Sequence, residues 1–435
     1  MITIIISCLT FIALIASTFL FPKIRLKHTT VSSFWVIAFI GAILLVATQQ
    51  LSFKEIFAGL ASSSKVNPVK ILILFFSMTM ISVFLDEAGF FEKIASKSVK
   101  SAGKSQFKLF LILYCLVSVL TIFTSNDIVI LTFTPFICYF AKRTKINPIP
   151  YLVAEFAAAN TWSMMLIVGN PTNIYLASNA GFNFVSYLKV MALPTLAAGI
   201  VEILLLLLIF KKQLSKSIDS IEQDSINVNK VDCILGLSTL VVCVVLLVIS
   251  SYVKGMEMWI VSLCSAGFLI IYMIMKSLIS NDKTNNSKYV LIFKRLPYNL
   301  IPFILSMFVI VLGLEKNGIT SKIASALGSK GTIFAYGFTS YLTANITNNI
   351  PMSILYSSII PNSSPIFVQA TYASIVGSNL GAFLTPLGAL AGIMFTNLLN
   401  KHDIKYSFKE FVKYGVIISL PCIAVTLTTL YLMGI

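Results

Sequence analysis

Residues 106–142 read QFKLFLILYCLVSVLTIFTSNDIVILTFTPFICYFAK. The body of this stretch is apolar, yet Thr124-Ser125-Asn126-Asp127 interrupt it near the middle. One helical crossing of a bilayer needs about 20 predominantly apolar residues. A polar tip with both ends on one side accounts better for the break, so the stretch reads as a re-entrant hairpin. Residues 331–360, GTIFAYGFTSYLTANITNNIPMSILYSSII, carry the same pattern, with Thr347-Asn348-Asn349 followed by Pro351.

The rest of the chain sets these hairpins in a membrane. Of 435 residues, 57% are hydrophobic and 11% charged, against about 25% charged in a soluble domain. The apolar blocks place ten crossings, at 2–20, 31–48, 68–85, 149–178, 185–210, 231–252, 256–276, 297–314, 370–398 and 409–433. Backbone groups in hydrocarbon must be satisfied internally, so the expected fold is an all-α polytopic membrane protein. The formal charge of +16 does not indicate nucleic-acid binding, because the lysines lie between apolar blocks. With both termini outside, 24 of 32 basic residues fall in cytoplasmic segments, Lys23, Arg295 and Lys401 among them. That distribution follows the positive-inside rule and suits a bacterial cytoplasmic (inner) membrane. Gln213–Lys230 reads as a cytoplasmic linker, and 90–103 as an interfacial helix. The N-terminus has no basic segment ahead of its apolar stretch and reads as uncleaved. The seven cysteines form no C-x-x-C and read as small core residues, with soft metalloid ligation as the alternative. His28 and His402 fall in loops.

The two halves align. Ser77, Met78, Ile81, Leu85, Gly89, Lys93, Ile94, Ala95 and Ser96 match Ser306, Met307, Ile310, Leu314, Gly318, Lys322, Ile323, Ala324 and Ser325 at a constant spacing of 229. Further on, Asn126 matches Asn348, Asn160 matches Asn379, and Gly169 matches Gly388. Five crossings separate equivalent points, so the second copy points the opposite way, as in the inverted repeats of secondary transporters. The first repeat is 1–212, with hairpin 106–142 and broken helix 149–178. The second is 231–435, with hairpin 331–360 and broken helix 370–398.

Four polar breaks at membrane depth are the candidate solute site. They are Ser125, Asn126 and Asp127 at the first tip, and Thr347, Asn348 and Asn349 at the second. The broken helices add Asn160, Thr161, Gly169, Asn170, Pro171, Thr172 and Asn173, then Ser378, Asn379, Thr385, Pro386 and Gly388. Proline removes a backbone donor and glycine permits an unwound turn. The freed groups must face protein or a water-filled cavity. Helix N-termini there favour anions, and exposed carbonyls favour cations. Asp127, an ionisable group at membrane depth, is the strongest candidate for a coupling role with H⁺ or Na⁺. Glu155 and Glu202 lie near cytoplasmic ends and read as snorkelling or locally paired. Asp86 and Glu315 occupy equivalent helix ends. Trp162 either walls the site or packs. No H-E-x-x-H, paired intramembrane aspartates or nucleophile elbow points to an enzyme. No cofactor is expected.

At these residues the sequence resembles the ion transporter superfamily, and within it the ArsB/NhaD-type permeases, arsenite efflux permeases and sodium/proton antiporters. The resemblance rests on Ser125-Asn126-Asp127 followed by Ile130-Leu131-Thr132-Phe133-Thr134-Pro135, on Gly169-Asn170-Pro171-Thr172-Asn173, on Asn379-Leu380-Gly381 and on Thr385-Pro386-Leu387-Gly388. It implies a homodimer, a scaffold part and a mobile part, and elevator-like alternating access. Candidate Na⁺ positions are Ser125, Asn126 and Gly169, and Thr347, Asn348 and Gly388. Family analogy also provides for an ATPase partner subunit, since the chain has no G-x-x-x-x-G-K-[ST] loop. Sibling sodium–dicarboxylate symporters carry Ser-Asn-Thr at the tips; here Asp127 and Thr347-Asn348-Asn349 depart from that pattern. The expected function is therefore a secondary active transporter for a small anion or metalloid oxide. A Na⁺/H⁺ antiporter is the alternative, and a sodium-coupled di- or tricarboxylate symporter a lesser one.

Overall fold

The computed structural model describes residues 1–21, 23–26, 29–61, 67–218, 228–279, 283–360 and 364–435. Half of the linker expected at 213–230, residues 219–227, lies outside the described residues. The first half runs α1 (Ile2–Leu20), strands β1 (Lys23–Leu26) and β2 (Thr29–Ser32), α2 (Ser33–Ala47), α3 (Phe53–Ala61), α4 (Pro68–Glu87) and α5 (Phe90–Ala102). It continues with α6 (Gln106–Phe123), α7 (Asn126–Thr144), α8 (Ile149–Trp162), a 3-10 turn at Ile167–Gly169, α9 (Pro171–Asn179) and α10 (Phe184–Leu214). The second half is α11 (Lys230–Ser250), α12 (Met258–Ile279), α13 (Lys283–Arg295), α14 (Leu300–Lys316) and α15 (Ile319–Leu327). It closes with α16 (Thr332–Thr347), α17 (Asn349–Ile359), α18 (Phe367–Gly381), α19 (Leu390–Lys401) and α20 (Phe408–Leu432).

The halves follow one order, α1 to α10 and then α11 to α20. Local signals recur at matching places. Gly89 and Gly318 both take positive φ (81° and 67°) to turn the chain from α4 into α5 and from α14 into α15. Capping boxes open α10 (Asn183 with Ser186) and α20 (Ser407 with Glu410). The packing is matched as well. Helix α4 lies on α12 as α14 lies on α2, α6 on α8 as α16 on α18, and α10 meets its own counterpart α20. Across the halves, α7 packs on α19 and α17 packs on α9.

Among the described residues, seven helical stretches are long and apolar enough to cross a membrane, namely Pro68–Glu87, Gln106–Phe123, Phe184–Leu214, Lys230–Ser250, Met258–Ile279, Ser287–Lys316 and Phe408–Leu432. Shorter apolar helices lie at Ile2–Ser17 and Ser33–Ala47. The protein is thus a helical, polytopic integral membrane protein. The arms of the second expected hairpin are short: 16 and 11 residues, or about 24 and 17 Å at 1.5 Å per residue, less than the roughly 30 Å of hydrocarbon.

Two features depart from the sequence expectation. The stretch after α1 is not plain loop but a small antiparallel ribbon, with Lys23 opposite Ser32 and Leu26 opposite Thr29; Ile24, Thr29, Thr30 and Val31 supply the β-branched residues that favour it. Short helices α3 and α13 fill connections read as loops. Each stretch read as a broken helix, 149–178 and 370–398, is two helices separated by an unwound turn.

Glycine sets the tightest helix contact. At Gly377 in α18 an added Cβ would overlap Ser340 Oγ and the carbonyl oxygen of Gly337 in α16. Replacing Gly377 by alanine should therefore cost about 1–3 kcal/mol through overpacking and lower the melting temperature of detergent-purified protein. Gly267→Ala, where nothing lies within 4 Å, serves as the control and should leave it unchanged.

Candidate functional site

Both hairpin tips open onto one cavity of about 850 Å³. Ser125 and Asp127 reach it from the first tip, and Thr347 and Asn348 from the second. Its walls come from Phe75 and Thr79 on α4, Leu300 and Phe303 on α14, and Leu390, Met394 and Asn397 on α19. Lys23, Arg295 and Lys401 also line it. They come from three distant parts of the chain, all assigned to cytoplasmic segments by the charge pattern.

Behind the cavity the broken helices are tied by a buried amide knot. Asn379 Oδ1 accepts from Ser163 Oγ at 3.0 Å and from Asn170 Nδ2 at 2.9 Å. Its Nδ2 donates to Asn173 Oδ1 at 2.6 Å and to the Ile375 carbonyl at 2.8 Å. Asn173 Nδ2 in turn donates to the Ser163 and Leu166 carbonyls, at 2.7 and 3.2 Å. Asn170 caps α9 by accepting from Thr172 N and Thr172 Oγ1, with Pro171 at the first helical position. The Thr172 and Ser378 hydroxyls meet at 2.9 Å. In the second copy Asn345, which the sequence reading missed, does the equivalent work. It donates to the Gly381 carbonyl and accepts from Thr385 N and Oγ1. Gly169 and Gly388 close the two unwound turns, donating to the Leu166 and Thr385 carbonyls, and Pro386 lies in the second.

The tips differ in how far they are satisfied. At the second, Asn348 is the N-cap of α17; its Oδ1 accepts from Ile350 N and its Nδ2 donates to the Leu387 carbonyl at 3.2 Å. Thr347 Oγ1 donates to the Thr343 carbonyl, and Asn349 N donates to the Gly388 carbonyl at 2.9 Å. At the first, Ser125 occupies the N-cap of α7 but makes no capping bond with its side chain. Ser125 Oγ and Asn126 Oδ1 are buried without a hydrogen-bond partner, although Asn126 Nδ2 donates to Asn160 Oδ1 at 3.3 Å. The Asp127 carboxylate faces the cavity and makes no hydrogen bond or ion pair among the described residues. The capping positions also correct the alignment of the tips: Ser125 corresponds to Asn348, and Asn126 to Asn349, one residue on from the match read in sequence.

Other polar residues take places the sequence did not give them. Thr161 does not line the cavity. It donates its hydroxyl to Glu202, which also accepts from Tyr114 OH at 3.0 Å. Trp162 Nε1 donates to the same Tyr114 OH at 3.1 Å, and the ring lies against Gly199, away from the cavity. Glu155 and Glu202 are fully buried rather than snorkelling; Thr134 Oγ1 donates to Glu155 at 2.9 Å. Asp86 and Glu87 both pair with Arg295, and Asp86 accepts from Thr132 Oγ1. Glu315, in the matching position of the second half, accepts from Ser358 Oγ at 2.8 Å. The structure therefore gathers Ser125, Asp127, Thr347 and Asn348 at the cavity. Asn160, Asn170, Pro171, Thr172, Asn173, Ser378 and Asn379 are packed behind it. Thr79, Asn299 and Asn397 are cavity residues that the sequence reading missed, because single polar residues in or beside apolar helices carry no motif.

Comparison with known proteins places this architecture. Residues 24–377 match the sequence profile of the family described as citrate transporter. The arsenical pump membrane protein of Escherichia coli K12 is 28% identical over 376 residues, covering 82% of this chain and 85% of that one. The putative arsenical pump membrane protein of Bacillus subtilis 168 is 25% identical over 402 residues, covering 85% and 88%. Among solved structures, the Alcanivorax borkumensis YdaH transporter superposes with a TM-score of 0.55 at 13% identity, covering 99% of this chain and 98% of that one. Its fold is shared, and the expected resemblance to arsenite permeases agrees with the relatives named as arsenical pumps.

The amide knot is predicted to be structural as much as functional. Asn379→Ala strips partners from Ser163, Asn170 and Asn173. Each buried group left unpaired costs about 1–3 kcal/mol, so thermal unfolding of the purified variant should show severe destabilisation. Asn348→Ala, at the half-buried tip, loses the cap of α17 and should cost less, about 0.5–2 kcal/mol. Equal stability of the two variants would contradict this placement.

Proposed function

Since the chain belongs to the citrate transporter family, we propose that it is an ion-coupled permease carrying a small anion or a metalloid oxide across the cytoplasmic membrane. One observation carries the reading: two hairpin tips from separate halves share a cavity, and the first leaves oxygen ligands unpartnered beside a free carboxylate. Unsatisfied buried acceptors are costly, and a solute proton or a cation would relieve them. The relatives named as arsenical pumps favour a metalloid cargo. A neutral trihydroxide would donate hydrogen bonds to Ser125, Asn126 and Asp127 without needing a buried cation to balance it. A polycarboxylate such as citrate would need its charge offset by Lys23, Lys401 or a co-bound cation.

The coupling ion, H⁺ or Na⁺, is assigned to the first tip at Ser125, Asn126 and Asp127. The second tip is the weaker candidate, because its own amides and hydroxyls already fill the acceptors there, the Gly388 carbonyl included. The swapped packing of α7 on α19 and α17 on α9 supports an elevator, since it joins both hairpins and both broken helices into one body. In this reading the halves are inverted repeats, and the cavity opens to the cytoplasm, where Lys23, Arg295 and Lys401 are assigned. The second reading, a Na⁺/H⁺ antiporter, is favoured by the unpaired Asp127 carboxylate alone.

Uptake into proteoliposomes under an imposed pH or Na⁺ gradient separates these readings, with arsenite, antimonite, citrate and Na⁺ as test solutes. The permease reading expects gradient-driven movement of arsenite, antimonite or citrate. Asp127→Asn should lower that coupled uptake by roughly tenfold or more, as an ionisable group at membrane depth that carries the coupling ion requires. A proton flux that depends on Na⁺ with no other solute present would favour the antiporter. Wild-type coupling in Asp127→Asn would contradict the role given to this carboxylate in both readings.

A further inference from the structure

Thr79 lies in the middle of α4, one turn from Phe75, and both line the cavity. It is 2% exposed, and its hydroxyl has no hydrogen-bond partner. This is unusual for the molecule. A threonine in an apolar helix ordinarily returns its hydroxyl to the carbonyl four residues earlier. Thr10, Thr195, Thr371 and Thr426 all do so. Ser82, less than one turn further along α4, donates to the Met78 carbonyl in the same way. Thr79 forgoes the bond its own backbone offers, next to the cavity that holds the unpartnered Ser125 hydroxyl and the free Asp127 carboxylate. The repeat does not account for it, because the spacing of 229 puts Phe308 at the matching position of α14.

We propose that Thr79 is a solute-binding residue, and that its hydroxyl completes the first-tip site with Ser125 and Asp127. The ligand class is an oxygen-rich solute able both to donate and to accept hydrogen bonds, since a threonine hydroxyl does both. The inference rests on the reading that the tips hold the solute. It adds a contact from outside the hairpins and broken helices. In an elevator, that contact is made to the solute in the facing state seen here and is broken when the tip body travels.

Thr79→Val keeps the shape of the side chain and removes the hydroxyl; Thr79→Ser keeps the hydroxyl. Initial rates of arsenite and of citrate uptake would be measured in proteoliposomes for wild type, both variants and Ser125→Ala. For the solute that wild type carries, Thr79→Val should raise KM roughly three- to tenfold, as loss of one hydrogen bond dictates. Maximal rate and ion coupling should stay near wild type, and Thr79→Ser should restore KM. A merely structural threonine would instead change yield or maximal rate and leave KM alone. If Thr79→Val does not fold, Thr79→Ala carries the same KM prediction. A wild-type KM in Thr79→Val, with Ser125→Ala impaired, overturns this inference and leaves the tip reading standing. Wild-type behaviour in Ser125→Ala as well, or no uptake of either solute by wild type, overturns both.

Discussion

Unwound backbone at membrane depth is the constraint from which the architecture follows. A helix break in hydrocarbon frees donors and acceptors that lipid cannot satisfy. Here the protein satisfies them with amide side chains. Asn379, Asn170 and Asn173 knit the first broken helix to the end of α18, and Asn345 anchors the turn after α18. Because Asn379 belongs to the second half and Ser163, Asn170 and Asn173 to the first, the first break is tied to the other half, while the second is anchored by Asn345 from its own half. The halves cannot separate without exposing the groups that Asn379 satisfies.

With the knot closed, what remains open becomes informative. The second tip has spent its capacity on itself, through Asn348, Thr347 and Asn349. The first has not: Ser125 Oγ and Asn126 Oδ1 stand unpaired next to Asp127. In the function proposed here, the two tips divide the labour, one shaping the cavity and the other offering ligands. The division also gives direction to the chemistry. Oxygen acceptors beside a carboxylate that makes no ion pair among the described residues call for a proton, a metal cation or a solute rich in hydroxyl groups.

Much of this was legible in the residues. The apolar blocks, the polar interruptions at 124–127 and 347–349, and the spacing of 229 between matching residues lead to the helical elements and to the cavity between the tips. The finer register was not. Reading Asn126 against Asn348 relied on residue identity, whereas capping is a matter of position, and serine and asparagine fill the N-cap equally well. Thr161 was misplaced because a threonine beside a helix break looks like a ligand; its partner, Glu202, comes from forty-one residues away. Glu155 and Glu202 read as snorkelling or locally paired, and distance along the sequence could not choose, because it says nothing of the hydroxyls that Thr134, Thr161 and Tyr114 bring to them. The ribbon at 23–32 and the cavity-facing Thr79 leave no periodic trace at all.

The central claim is that the two tips, 223 residues apart at their N-caps, face one another across a shared cavity. Cysteines placed at Ser125 and Asn348, in a background freed of the seven native ones, would be treated with a bifunctional thiol reagent of about 10 Å reach, close to the diameter of a cavity of 850 Å³. The chain would then be cut by a protease site inserted between the halves. The account predicts that the halves stay covalently joined after cutting, and only when both cysteines are present. Complete separation of the halves, with both cysteines shown to be reactive, would contradict it.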